Sequence, residues 1–247
     1  MAPFDSGKST WKNAALLDAT CAECDVRNTA FCDGVPEREL ARLETLATFL
    51  EIRSGETIIN EADPSEFIFN VTVGAVKLYK LMADGRRQIT GFLFPGSFLG
   101  VSDHSEYAYT AEALTPTSLC RFPRKKFEGL LAEFPTIGQR MVSILMDDLA
   151  GAQSQMLLLG RKTARERVAS FLVLLSTRTG DKDQEQERDV LPIPMNRVDI
   201  ADFLGLTIET VSRTLTSLKK DNVIAIPDGG HIEILDRDEL AAISEHI

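Results

Sequence analysis

Between Glu56 and Phe94 the apolar side chains come in short runs, ETIIN, EFIFNVTVG, AVKLYKL and RQITGFLF. Turn-forming residues bound them: Ser54-Gly55, Asp63-Pro64, Gly74, Asp84-Gly85 and Pro95-Gly96. Runs of this length and composition between Gly and Pro signals read as strands. Ala83-Asp84-Gly85-Arg86, between two of them, predicts a hairpin. The stretch from about Val35 to Phe127 is therefore expected to form an antiparallel barrel or roll with little helix inside.

The period then changes. Val142, Leu145, Leu149, Ala152, Met156 and Leu159 alternate three and four residues apart, an a/d heptad pattern bounded by Pro135 and Gly160. A helix packed on its own domain would also be amphipathic, but so narrow a stripe fits a two-helix dimer seam better. Asp148 and Gln153 take the positions flanking that seam. A second helical stretch runs from Thr163 through Leu175, followed by a polar loop, TRTGDKDQEQERD. Helical patterns at Arg197–Leu204 and Ile208–Lys220 then meet at Gly205-Leu206, with Thr207 as N-cap. Ala201 allows close helix approach, and Ile200 and Val211 supply buried contacts. IAIPDGGHIEIL predicts a hairpin turning at Asp228-Gly229-Gly230, the wing of a winged helix.

The expected class is α+β, in four parts. These are an N-terminal cysteine arm (1–34), a β-roll sensor domain (35–133), a dimerisation helix (134–162) and a winged helix-turn-helix (163–247).

Composition leaves a globular reading intact. The 247 residues are 44% hydrophobic and 26% charged, ordinary usage for a chain that buries a core. No apolar run approaches the roughly 18–20 residues that span a bilayer. The N-terminus lacks the basic and apolar segments of a secretory signal, so the expected compartment is the cytoplasm. Net charge is −10, unpromising for a phosphate backbone, but the charge is uneven. Residues 161–220 hold 11 basic and 9 acidic side chains, against 15 and 21 before them and 1 and 7 after. The helix-turn-helix region is the one part without acidic excess.

Four cysteines bring in chemistry: Cys21, Cys24 and Cys32 in CAECDVRNTAFC, and Cys120 alone about 90 residues later. In a reducing compartment such a set is more often metal-binding or catalytic than disulfide-forming. Four thiolates suit a zinc ion or a [4Fe-4S] cluster equally, and the CAEC pair alone would also suit thiol redox chemistry. On a helix starting near Ile208, the side chains of Glu209, Ser212 and Arg213 share one face. Arginine bidentate to guanine, glutamate accepting from cytosine and serine to thymine or phosphate is the chemistry of base readout. The alternative there is an intrahelical Glu209–Arg213 pair on a solvated face. The three histidines are scattered and no nucleophile–base motif appears, so no enzyme is expected.

Cysteine arm, roll, long helix and winged helix-turn-helix, in that order, resemble the CRP/FNR transcription regulators over nearly the whole chain. The ExxSR face, Glu209, Ser212 and Arg213, resembles the FNR branch, which reads TTGAT-type half-sites. The cAMP-receptor branch carries arginine where this chain has Ile208. The resemblance implies an oxygen-labile [4Fe-4S] cluster on Cys21, Cys24, Cys32 and Cys120, with zinc as the alternative occupant. Cys24 to Cys32 is a C-x7-C gap, longer than the common FNR pattern and similar to the FnrN/FixK-like subgroup. Family members that bind a cyclic nucleotide present an Arg-Ser pair; Tyr109-Thr110 stand there, and PGSFLGVSDH lacks the accompanying glutamate, so no cyclic nucleotide is expected. The resemblance further implies a homodimer on palindromic DNA, no membrane partner, and an RNA polymerase contact through Asp84, Gly85, Arg86 and Arg87. It aligns the family's acidic gate in the dimer helix with Gln153.

Overall fold

The computed structural model describes Cys21 and residues 24–102, 105–179, 189–227 and 230–245. The cysteine arm before Cys21, the centre of the polar loop and the wing tip at Asp228-Gly229 lie outside these. The chain divides into two compact units, one ending at Leu149 and the other beginning at Ala150.

In the first unit, α1 (Glu37–Glu44) precedes eight strands. These are β1 (Thr48–Ile52), β2 (Thr57–Ile59), β3 (Phe67–Val73), β4 (Val76–Leu81), β5 (Arg87–Leu93), β6 (Phe98–Leu99), β7 (Thr110–Ala113) and β8 (Thr117–Pro123). They form two four-stranded antiparallel sheets, ordered β1-β8-β3-β6 and β2-β7-β4-β5. Successive side chains on a strand point to opposite faces. On β8, Leu119 enters the core between the sheets with Phe69, Val71, Val76 and Leu99. Cys120 and Phe122 enter a second core on the outer face with Phe31, Leu40, Leu43, Ile68 and Phe98. Sheet β1-β8-β3-β6 is thus covered on both sides, which is why successive residues of β3 and β8 are buried on both faces.

The α+β roll holds, but four elements were not expected: helices at Glu37–Glu44, Arg124–Glu133 and Arg237–Glu245, and a strand at Asp189–Pro192. A roll with little helix was anticipated from Val35, yet Glu37–Glu44 is helical. Pro36 starts it, Glu37 and Glu39 sit in its first turn, Arg42 in its last, and Leu40 and Leu43 bury one face. Its two buried positions are too few to make a periodic signal. The hairpin at Asp84-Gly85 forms as anticipated, with the Met82 amide donating to the Arg86 carbonyl at 2.8 Å.

Helix α2 (Arg124–Glu133) closes the roll, and α3 (Pro135–Arg161) runs 27 residues, crossing from one unit into the next. At a rise of 1.5 Å per residue it is about 40 Å long. In the second unit α4 spans Ala164–Thr179, a turn beyond Leu175. Next come β9 (Asp189–Pro192), α5 (Arg197–Leu204), α6 (Ile208–Lys220), β10 (Ile224–Ala225), β11 (His231–Ile234) and α7 (Arg237–Glu245). A further correction is β9, which begins on the last residue of the segment expected as loop. It pairs with β11 to give a sheet ordered β10-β11-β9. At a sheet edge Pro192 is tolerated, which its sequence alone did not suggest.

Local chemistry explains the α5–α6 corner. Asn196 and Asp199 form a reciprocal capping box at the start of α5. Gly205 ends it at φ 61°, where a side chain would be strained, and its amide donates to Ala201 O. Thr207 Oγ1 then accepts from the Thr210 amide at 3.2 Å and starts α6. Ile200, Ala201, Val211 and Leu215 are all buried at the junction.

Candidate cysteine centre and nucleic-acid interface

Around the cysteines the chain folds as consecutive turns from Asp25 to Gly34. The Arg27 amide donates to Cys24 O at 3.0 Å and the Val35 amide to Cys32 O at 3.3 Å. Inside the gap, Phe31 is 1% exposed and makes edge-on contacts with Phe98, Phe122 and Phe127 at 5.3, 5.7 and 5.4 Å. Thr29 rests on Gly96, where an added Cβ would lie 2.7 Å from its hydroxyl oxygen. At the other end the Cys21 amide donates to Glu44 Oε2 of α1 at 3.0 Å. Asp33 pairs with Arg140 of α3 at 3.3 Å.

All four thiols are free; Cys21, Cys32 and Cys120 are buried and Cys24 is half-buried. Burial pushes Cys21 up to about 12, helped by the Glu44 carboxylate, and Cys32 up to about 11, helped by Cys24. Cys24 is also raised, by burial first. Cys120 is raised furthest, by burial and then by Cys24, Cys21 and Cys32 in that order. The fold therefore gathers all four sulfurs from the arm and β8 into mutual electrostatic range. Arg27 works in the opposite direction on the three arm cysteines, favouring their thiolates. Soft donors that must lose protons on ligation fit a thiophilic metal centre. Among the described residues no three His, Cys, Asp or Glu side chains close around a single ion.

On α6, Glu209, Ser212 and Arg213 are exposed together, while Val211, Leu215 and Leu218 face inward. Among the described residues no ion pair joins Glu209 to Arg213. Instead the Arg213 guanidinium donates to Thr210 Oγ1 at 3.5 Å. Glu209 and the Ser212 hydroxyl have no hydrogen-bond partner among those residues, so the face is unspent. A shallow concavity continues it past Thr216 and Lys220 to Asp221, which pairs with Arg165 at 2.8 Å.

Along α3, Val142, Leu145, Leu149 and Met156 are 56, 42, 52 and 67% exposed. Ala152 lies exposed on the same helix, and Met146 and Leu157 widen the apolar face. Leu159 departs from the row, half-buried with its Cδ2 beside Gly205. Asp148 and Gln153 are both exposed. At the β4–β5 hairpin tip, Asp84, Gly85 and Arg86 are exposed, and the Asp84 carboxylate accepts from the Arg86 amide and side chain at 3.1 and 2.7 Å. Arg87 stacks on Tyr79 at 5.5 Å.

Comparison with known proteins decides the family. Residues 166–243 match the Crp-like helix-turn-helix domain, and residues 49–134 match the cyclic nucleotide-binding domain. The nitrogen fixation regulation protein FixK of Bradyrhizobium diazoefficiens is 40% identical, over 91% of this chain and 93% of that protein. The chain belongs to the CRP/FNR family. This CRP/FNR regulator is also 38% identical to the transcriptional activator protein FnrL of Cereibacter sphaeroides, over 87% of this chain and 88% of that one. The solved structure of FixK2 from Bradyrhizobium japonicum superposes with a TM-score of 0.75 and 35% identity, over 81% of this chain and 98% of that one. Membership makes it a transcription regulator with a helix-turn-helix, not an enzyme. No described helix is long and apolar enough to cross a membrane.

For this CRP/FNR chain, sequence reasoning passed over Glu44, Thr29 and Arg140, which tie the cysteine loop down. The one signal was the amphipathic segment ERELARLE, whose last glutamate reaches back to Cys21.

Proposed function

We propose that this regulator is an oxygen-responsive activator that binds TTGAT-type palindromic DNA as a homodimer while a [4Fe-4S] cluster is held by Cys21, Cys24, Cys32 and Cys120. One observation carries the reading: a single apolar core contains Cys21, Cys32, Cys120 and Phe31 together with Ile137 and Met141 from the first turns of α3. Anything that loosens the cysteine loop therefore also uncovers the root of that helix. When bound, the cluster would supply an oxygen-labile tether between arm and roll. The four thiols give up protons to hold it, and Arg27 offsets part of the negative charge gathered there.

The exposed apolar stripe of α3 supports the dimer, with Val142, Leu145, Leu149, Ala152 and Met156 at the seam and Leu159 at its margin. With the uncharged Gln153 in the gate position, Asp148 is left as the acidic side chain flanking the seam. A two-fold dimer sets its recognition helices about one DNA turn apart, which matches a palindrome. Glu209, Ser212 and Arg213 then face the bases. Asp84, Gly85, Arg86 and Arg87, with exposed Leu81 and Met82 beside them, form the surface offered to RNA polymerase. No cyclic nucleotide takes part. Tyr109 Oη accepts from the Gly100 amide at 2.9 Å and Thr110 Oγ1 from the Glu61 amide at 3.1 Å, so neither offers a phosphate the cation it needs. DNA binding and the absence of a spanning helix suit the cytoplasm.

Single Cys→Ser variants at the four positions test the reading. Each should lose anaerobic iron and sulfide and, with them, tight operator binding. A variant that keeps full iron would remove that cysteine from the set.

A further inference from the structure

The open seam of the roll, where edge strands β1 and β2 part, holds a concavity that neither the cysteine centre nor the recognition helix uses. Its volume is about 390 Å³, within the range of small-ligand pockets. Leu50 and Ile52 of β1, Ile58 of β2, and Phe67 and Phe69 of β3 make its walls apolar. One cation reaches in. Arg121 stands on β8 between Thr48 of β1 and Phe69 of β3, with its guanidinium carbon 4.5 Å from the Phe67 ring centre.

That guanidinium makes no hydrogen bond or ion pair among the described residues, and its Nε is buried without a partner. Buried donors are nearly always satisfied, so an orphan at the wall of a pocket asks for a ligand. We infer that the seam binds a small organic monocarboxylate with an apolar body, its two oxygens held by the Arg121 fork. A carboxylate matches the spacing of a guanidinium edge, and the apolar walls suit an aromatic or branched aliphatic remainder. Doubly charged anions are disfavoured, because Asp63 and Glu66 also line the seam. The Tyr107 hydroxyl is already committed, accepting from the Phe67 amide at 3.2 Å and donating to the Phe67 carbonyl at 2.9 Å. It helps shape the wall and leaves recognition to Arg121.

The site stands apart from the cysteine reading, although the two meet on one strand. Cys120 and Arg121 are adjacent on β8 and face opposite sides of the same sheet. A carboxylate on Arg121 thus gives the strand carrying Cys120 a second input.

Titration calorimetry on the full, reduced, metal-free chain tests this, using benzoate, phenylacetate and hexanoate as probes and benzyl alcohol and inorganic phosphate as controls. At least one carboxylate should bind saturably while both controls fail. Arg121→Gln should weaken that carboxylate by about tenfold or more, and Arg121→Lys by less, because charge remains and the fork is lost. Ile58→Trp, which fills the seam and leaves Arg121 in place, should abolish binding and stands in if Arg121→Gln does not fold. The inference is overturned if none of the three carboxylates binds, if Arg121→Gln binds as tightly as the parent, or if benzyl alcohol or phosphate binds equally well. None of these outcomes depends on iron content, so failure here leaves the oxygen-sensor reading intact.

Discussion

Phe31 lies inside the cysteine loop and at the centre of the core beneath it, so truncating it should separate loop docking from everything else. Phe31→Ala removes a side chain that is 1% exposed and met edge-on by Phe98, Phe122 and Phe127. Phe→Ala at such a site costs about 3–5 kcal/mol, because the surrounding rings cannot all collapse into the hole. For a chain of this size each kcal/mol moves the midpoint about 2–4 °C, so a drop of about 6–20 °C is expected. Thermal unfolding of the reduced, metal-free chain measures it, followed by tryptophan-independent circular dichroism. A second readout is thiol accessibility: Cys21, Cys32 and Cys120 are buried in the parent and should react with a thiol reagent far faster in the variant. Phe31→Leu, which keeps most of the volume, should fall between the two. A midpoint within about 2 °C of the parent together with parent-like thiol rates would refute the placement of Phe31 as the keystone.

Three further outcomes follow from the same geometry. Arg213→Ala should weaken operator binding by about 1–3 kcal/mol and reduce discrimination against a mutated half-site, measured by fluorescence anisotropy; unchanged discrimination would place base readout elsewhere on α6. Leu149→Glu puts a charge in the exposed stripe of α3 and should shift the anaerobic protein to monomer in sedimentation velocity without lowering its helix content. Thr207→Ala removes the cap on the Thr210 amide and should destabilise the C-terminal unit by about 0.5–2 kcal/mol in urea, while Thr207→Ser should restore most of it.

How much the sequence disclosed depended on whether a signal was local. The α5–α6 corner was legible to the residue because its determinants, Gly205 and Thr207, act within one turn of where they stand. The strands of the roll were legible because their alternation is interrupted by glycines that the turns need. By contrast β9 exists only because β11, about 40 residues later, offers an edge, and nothing within DVLP announces a strand. Helix α1 has just Leu40 and Leu43 to mark its buried face. The cysteine spacing suggested a site without saying what holds the loop. Glu44, Gly96 and Arg140 do so from three separate elements, and contacts of that kind are written in the tertiary structure alone. Leu159 was grouped with the α3 stripe by periodicity, yet Gly205 gives it a neighbour within its own unit.

The central claim is that four thiols hold an oxygen-labile cluster on which DNA binding depends. Its most direct test is to purify the chain anaerobically, assay iron, sulfide and zinc, and measure affinity for a TTGAT-type palindrome before and after exposure to air. The account predicts a coloured protein with about four iron and four sulfide per chain and a steep loss of affinity in air. A colourless, zinc-containing protein whose DNA affinity is the same in air would contradict it.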